Sequence, residues 1–115
     1  RFVALDFDFP EAAIEAGKWA IGVDTDQALS LPEYSKAILT SAEKVIDVAV
    51  LEQIKKNAGG DPGGENFIGT LANKGVRMSP YHDLASMVSP ELQAEIDQLA
   101  ADIAAGTVKV SDYLK

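Results

Sequence analysis

Apolar positions fall into short runs and helical stripes that alternate along the chain. Residues 2–7 form an apolar run closing on Asp6, Phe7 and Asp8, the pattern of a buried strand. Pro10 suits the first turn of a helix, where its missing N–H has no intrahelical partner to lose, and Glu11 favours that same positive end. The helix stops at Gly17, a residue at ease in the left-handed position that follows a helix. Residues 18–23 read as a second buried strand, which delivers Asp24, Thr25, Asp26 and Gln27 at its C-terminal end.

A polar stretch with Pro32 leads into residues 37–40, a third short strand. Ser41 is placed to cap a helix over residues 42–56, whose Val45, Ile46, Ala49, Val50 and Ile54 form a stripe wide enough to press on a sheet. Gly59-Gly60-Asp61-Pro62-Gly63-Gly64 is a loop. Residues 67–71 and 76–81 flank Asn73, Lys74 and Gly75 as an antiparallel hairpin. Ser89 caps and Pro90 opens a last helix, with Leu92, Ile96, Leu99 and Ile103 on one face; it ends at Gly106, and residues 107–110 return as an edge strand. The sum is one α/β domain over residues 1–115 with a mostly parallel sheet and a C-terminal hairpin.

Composition narrows the chemistry. At 115 residues and 47% apolar, the chain can build one core without staples, and with no cysteine it has neither disulfides nor thiolate chemistry. A net charge of −8 argues against nucleic acid and anionic membrane as partners, both of which need a cationic face. One histidine and no cysteine leave no zinc constellation, and no cofactor motif is present. Gly59 to Gly64 lacks the G-K-[ST] ending and precedes a strand, so it is a connector rather than a phosphate loop.

Candidate chemistry therefore gathers at strand ends. In open α/β sheets ligands sit at the carboxyl edge, where Asp6, Asp8, Asp24 and Asp26 would fall. Carboxylates there bind hard metals, attack phosphorus, or accept hydrogen bonds from hydroxyls; they also simply shape turns. Lys44, read in the first turn of its helix, opposes the helix dipole and so calls for a ligand or carboxylate partner. Ser79, His82 and Asp83 do not make a triad, because the chain offers no nucleophile elbow; His82 is read as a structural hydrogen-bonder and Trp19 as core.

The stretches at residues 15–27 (with Gly22-Val23-Asp24-Thr25-Asp26-Gln27), 38–44 (Leu39-Thr40-Ser41 to Lys44) and 75–83 (Ser79-Pro80-Tyr81-His82-Asp83), in that order, resemble the C-terminal part of the basic membrane protein family. These are lipid-anchored solute-binding proteins of ABC transporters that include purine nucleoside receptors. The likeness spans residues 10–110 and implies a three-layer lobe of a periplasmic-binding-protein-like fold, ligand held between two lobes, an ABC permease as partner, and an extracytoplasmic, membrane-anchored or periplasmic setting. It implies that Asp24 accepts hydrogen bonds from ribose hydroxyls and that Lys44 donates to the same sugar, with Asp26 and Gln27 either reaching the ligand or holding the loop. Residues 1–9 depart from the family pattern. Phe7 and Phe9 match its base-stacking aromatics only by position, and the lipidated cysteine has no counterpart. On this reading the chain is a fragment, a fusion across a deletion, or a half-protein whose second lobe comes in cis or in trans.

Two other functions compete with reversible, non-enzymatic solute capture. Ala4-Leu5-Asp6-Phe7-Asp8 mimics the opening strand of haloacid dehalogenase-like, magnesium-dependent phosphatases, with Asp6 as nucleophile, Asp8 as acid and Thr40 or Ser41 with Lys44 in phosphate-binding roles. Pro10 departs from that motif. The other is a truncated lobe that binds nothing and self-associates as a homodimer. A receiver-like domain is disfavoured by the glycine loop and hairpin, which break the strand–helix alternation.

Overall fold

The computed structural model describes residues 3, 4 and 9–114. Asp6, Phe7 and Asp8, and with them the phosphatase motif, lie outside the described residues. The described chain divides into two compact units. One takes the residues up to Lys44 together with Arg77–Ser89; the other takes Val45–Val76 and the residues from Pro90 onward.

The first unit carries the sheet. Strands β1 (Val3–Ala4), β2 (Ala20–Asp24), β3 (Ile38–Lys44) and β4 (Val76–Met78) lie in that order across it. β1 pairs parallel with β2, and β2 parallel with β3. Val45 N–H donates to Gly75 O and Ser79 N–H to Ser41 O, so β4 runs antiparallel to β3 and the sheet is mixed. Helix α1 (Phe9–Glu15) ends as its sequence dictates. Gly17 takes φ +59°, its N–H returns to Ile14 O and that of Lys18 to Ala13 O, a left-handed stop that satisfies two orphan carbonyls. Between β2 and β3 the polar stretch folds as a four-residue helix, α2 (Gln27–Ser30), and a 3₁₀ turn (Pro32–Ala37). Ala13, Ala20 and Ala37 form the buried cluster, small side chains that let α1, β2 and the 3₁₀ turn approach closely.

Register sets what meets what. Ala20 pairs with Ile38 but Ile21 with Thr40, so Leu39 is an extra residue in β3. Beyond this bulge Gly22 lies beside Ser41 and Asp24 beside Glu43. A Cβ on Gly22 would overlap Ser41 Oγ and come within 2.7 Å of Gln27 Oε1, and both neighbours are buried. Gly22→Ala is therefore expected to destabilise the fold by about 1–3 kcal/mol through overpacking, read as a lower urea midpoint at constant slope. An unchanged midpoint would show that Gln27 can swing aside at no cost.

Three sequence expectations are corrected here. Ser41 is not a helix cap and Lys44 is not in a helix: β3 continues to Lys44, and Val45 precedes α3 (Ile46–Ala58). The bonds that keep residues 41–44 extended are tertiary. Ser41 Oγ accepts from Gln27 N–H at 3.1 Å, Ser41 N–H donates to Ser79 Oγ at 2.8 Å, and the buried Glu43 accepts from Arg77 Nε at 2.8 Å.

The C-terminal hairpin is replaced, because residues 67–71 form no strand and β4 pairs with β3 instead. Asn73 is the reason. Its Oδ1 accepts from Thr70 N–H and Gly75 N–H, and its Nδ2 donates to Ile68 O, so the side chain takes up the backbone groups a ladder would need. Finally, residues 107–109 are not a strand and a 3₁₀ turn (Val110–Tyr113) follows them. The helix before it, α4 (Pro90–Ala104), stops at Gly106 (φ +76°) by the same left-handed device as α1.

In the second unit α3 buries no residue, and Ile46, Val50 and Ile54 of its apolar stripe stay more than half exposed. Periodicity named the face correctly as apolar but not as covered. No helix among the described residues is long and apolar enough to cross a membrane.

Candidate functional site

All the chemistry-bearing residues described below belong to the first unit. β2 and β3 run parallel and end side by side, so their C-terminal residues Asp24 and Lys44 emerge at one edge. Lys44 Nζ stands 2.7 Å from Asp24 Oδ1. Oδ1 is shielded from solvent beneath the ammonium without a well-directed hydrogen bond, so the contact is an ion pair set by distance. The two side chains remain 42% (Asp24) and 67% (Lys44) exposed, which places the pair among surface salt bridges worth about 0–1 kcal/mol. A pair this weak opens readily for a solute that offers both charges better hydrogen bonds.

Asp24 is also strained. Its φ is +72°, and Thr25 N–H donates to Val23 O across it at 2.9 Å. That is a γ-turn of the left-handed kind, rare because the Cβ crowds the carbonyl. A strand that ends on a strained acidic residue, where a glycine would sit freely, trades stability for the position of a carboxylate.

Asp26 and Gln27 sit on the inner side of the same turn. Asp26 Oδ2 lies 2.7 Å from His82 Nε2, with side chains only 15% (Asp26) and 27% (His82) exposed. A carboxylate only accepts, so the imidazole hydrogen belongs on Nε2. Gln27 is 1% exposed; its N–H is held by Ser41, and its amide lies against Gly22. Such burial suits a residue that holds the turn. The 38–44 and 75–83 motifs meet beneath it: Thr40 Oγ1 donates to Ser79 O at 2.8 Å, and Ser79 Oγ accepts from Ser41 N–H.

The structure thus brings Asp24 together with Lys44, and Asp26 with His82, while Gln27 is enclosed. Ser79 and His82 have separate partners and make no relay. Among the described residues no group of three His, Asp or Glu side chains gathers as a metal site would require. Sequence reasoning missed Glu43 and Arg77, which pair across β3 and β4 with Glu43 buried and Ala42 exposed, the reverse of what their polarity suggests. It had His82 as a hydrogen-bonder without naming Asp26.

The model of the family described as Bmp, ABC transporter substrate-binding protein PnrA-like, matches residues 11–113 of the chain. No curated protein matches the chain.

Proposed function

The chain belongs to the Bmp family of PnrA-like ABC transporter substrate-binding proteins, and on that premise we propose that Asp24 and Lys44 capture the ribose of a nucleoside or a related ribose-bearing solute. The observation that carries the reading is their 2.7 Å juxtaposition at the carboxyl edge of neighbouring parallel strands. Vicinal hydroxyls each donate and accept. A carboxylate accepts only and an ammonium donates only, so the two together complete both hydroxyls. Each charge-assisted bond contributes about 1.5–3 kcal/mol once water is excluded, against the smaller cost of opening the exposed pair.

Asp26 and Gln27 hold the turn that presents Asp24. Capture is reversible and makes or breaks no covalent bond, and the solute passes to an ABC permease. The working protein is extracytoplasmic, membrane-anchored or periplasmic. This chain contributes one three-layer lobe, and a second lobe in cis or in trans closes over the ligand. Enclosure by two walls is what brings ligand burial to the roughly 70–90% usual for small-molecule sites.

Calorimetric titration with adenosine, guanosine, inosine, uridine, free ribose and free adenine tests this. Every ribose-bearing solute is expected to bind, and Lys44→Met to weaken each by roughly 10- to 100-fold, the equivalent of one charged hydrogen bond. Binding that favours the free base, or is indifferent to Lys44→Met, would refute recognition through the sugar.

A further inference from the structure

We infer that His82 is a positioning residue for this site: through Asp26 it holds the 24–27 turn in the shape that presents the Asp24 carboxylate. The inference rests on the reading of Asp24 as the ligand's acceptor. Asp26 occupies the N-cap position of α2 with extended backbone (φ −68°, ψ 93°), the place where an aspartate ordinarily accepts from its own helix. It makes no such bond. Its Oδ2 instead reaches His82, 56 residues further along, at 2.7 Å, the short end of the charge-assisted range. Its Oδ1 is closed off from water and has no partner among the described residues. Among the described residues, this largely buried carboxylate, which forgoes its local cap, is tied to the fold by the side chain of His82.

The tie is itself held under strain. His82 has φ +44°, a left-handed conformation that histidine tolerates better than most residues but that still costs energy. The 3₁₀ turn it opens (His82–Met87) follows three residues after Ser79, which is anchored to β3. On the other side, Gln27 N–H is anchored by Ser41. Residues 24–26 thus lie between the paired end of β2 and the anchored Gln27. Asp24 is left-handed at the near end, and the Asp26–His82 bond is the tertiary hydrogen bond that draws the middle of the span inward. Without it the turn relaxes towards ordinary φ values, and the Asp24 carboxylate leaves its place beside Lys44.

His82→Ala and His82→Gln bear the same left-handed backbone cost, but only glutamine returns an N–H donor near the position of Nε2. Their difference reads the bond to Asp26 and not the backbone. Asp26→Ser provides a second variant: it leaves a cap-competent hydroxyl at the N-cap position of α2 while removing the carboxylate that His82 reaches. Two measurements are made on each variant: amide hydrogen exchange at Thr25, whose N–H closes the γ-turn, and affinity for adenosine.

The expected result is a roughly 10-fold faster Thr25 exchange and a roughly 10-fold weaker affinity in His82→Ala and in Asp26→Ser, with both restored in His82→Gln. Amides of α4 serve as the unaffected reference. Thr25 exchange unchanged in His82→Ala or in Asp26→Ser overturns the inference whether or not adenosine binds. A Thr25 response in a chain that binds no ribose-bearing solute overturns the ribose reading and leaves His82 as the residue that sets the turn. Altered exchange with unaltered affinity overturns its role in binding.

Discussion

Asp24→Gly is expected to leave folding stability within about 1 kcal/mol of the parent, or raise it, while weakening capture of ribose-bearing solutes by roughly 100-fold or more. The two effects have opposite origins. At φ +72° an L-residue carries a steric cost of about 1–2 kcal/mol that glycine does not. Against that relief stand the lost ion pair with Lys44, about 0–1 kcal/mol at this exposure, and the greater freedom of glycine in the unfolded chain, about 0.4–1 kcal/mol. These terms nearly cancel. Binding has no such compensation, because the variant removes an acceptor that two hydroxyls would share, at about 1.5–3 kcal/mol each.

Asp24→Ala separates the terms further. It loses the carboxylate as well but keeps the strain, so it should fall about 1 kcal/mol below Asp24→Gly in urea unfolding while matching it in affinity. If glycine proves 2 kcal/mol or more less stable than aspartate, then the carboxylate holds the fold together and the strain is not there for the ligand. The size of the stability loss is thus a test of whether the strain serves the fold, made without any ligand.

Where the structure follows local rules, the sequence was enough. Gly17 and Gly106 stop their helices by local geometry, Pro10 and Glu11 belong to a helix start, and β2 ends at Asp24 as its apolar run implied. What could not be read is what depends on residues far along the chain. Residues 41–44 carry good local signals for a helix entry, but Ser79 is 38 residues from Ser41 and Arg77 is 34 from Glu43, and their bonds extend β3. Asn73 gave a turn signal that any hairpin would share; its wider set of backbone bonds has no signature in spacing alone. The site shows the same division. Asp24 and Lys44 were each legible as candidates and were brought together only by the family resemblance; in the structure strand register joins them, not the helix dipole first invoked for Lys44. Asp26 and His82 were each visible, but nothing local joins positions 56 residues apart.

Ser79→Ala is expected to cost about 2 kcal/mol of stability, because it takes away the acceptor of a buried donor. Ser41 has no exposed surface, and its N–H is directed at Ser79 Oγ at 2.8 Å. Removing that oxygen leaves a buried N–H without an acceptor, the asymmetric case in which the full desolvation penalty of about 1–3 kcal/mol appears. The Thr40 hydroxyl donates to Ser79 O at 2.8 Å, a backbone atom that the substitution leaves in place, so that bond is kept and the loss falls on Ser41 N–H. In a chain of 115 residues the loss should lower the melting temperature by roughly 10 °C. Thr40→Val, which deletes a donor and leaves only a carbonyl with fewer bonds, should cost about half as much. The comparison locates what keeps residues 41–44 in the sheet and so brings Lys44 to Asp24. A Ser79→Ala loss below about 0.5 kcal/mol would mean that water reaches Ser41 N–H, and the extension of β3 would then rest on the Glu43–Arg77 pair.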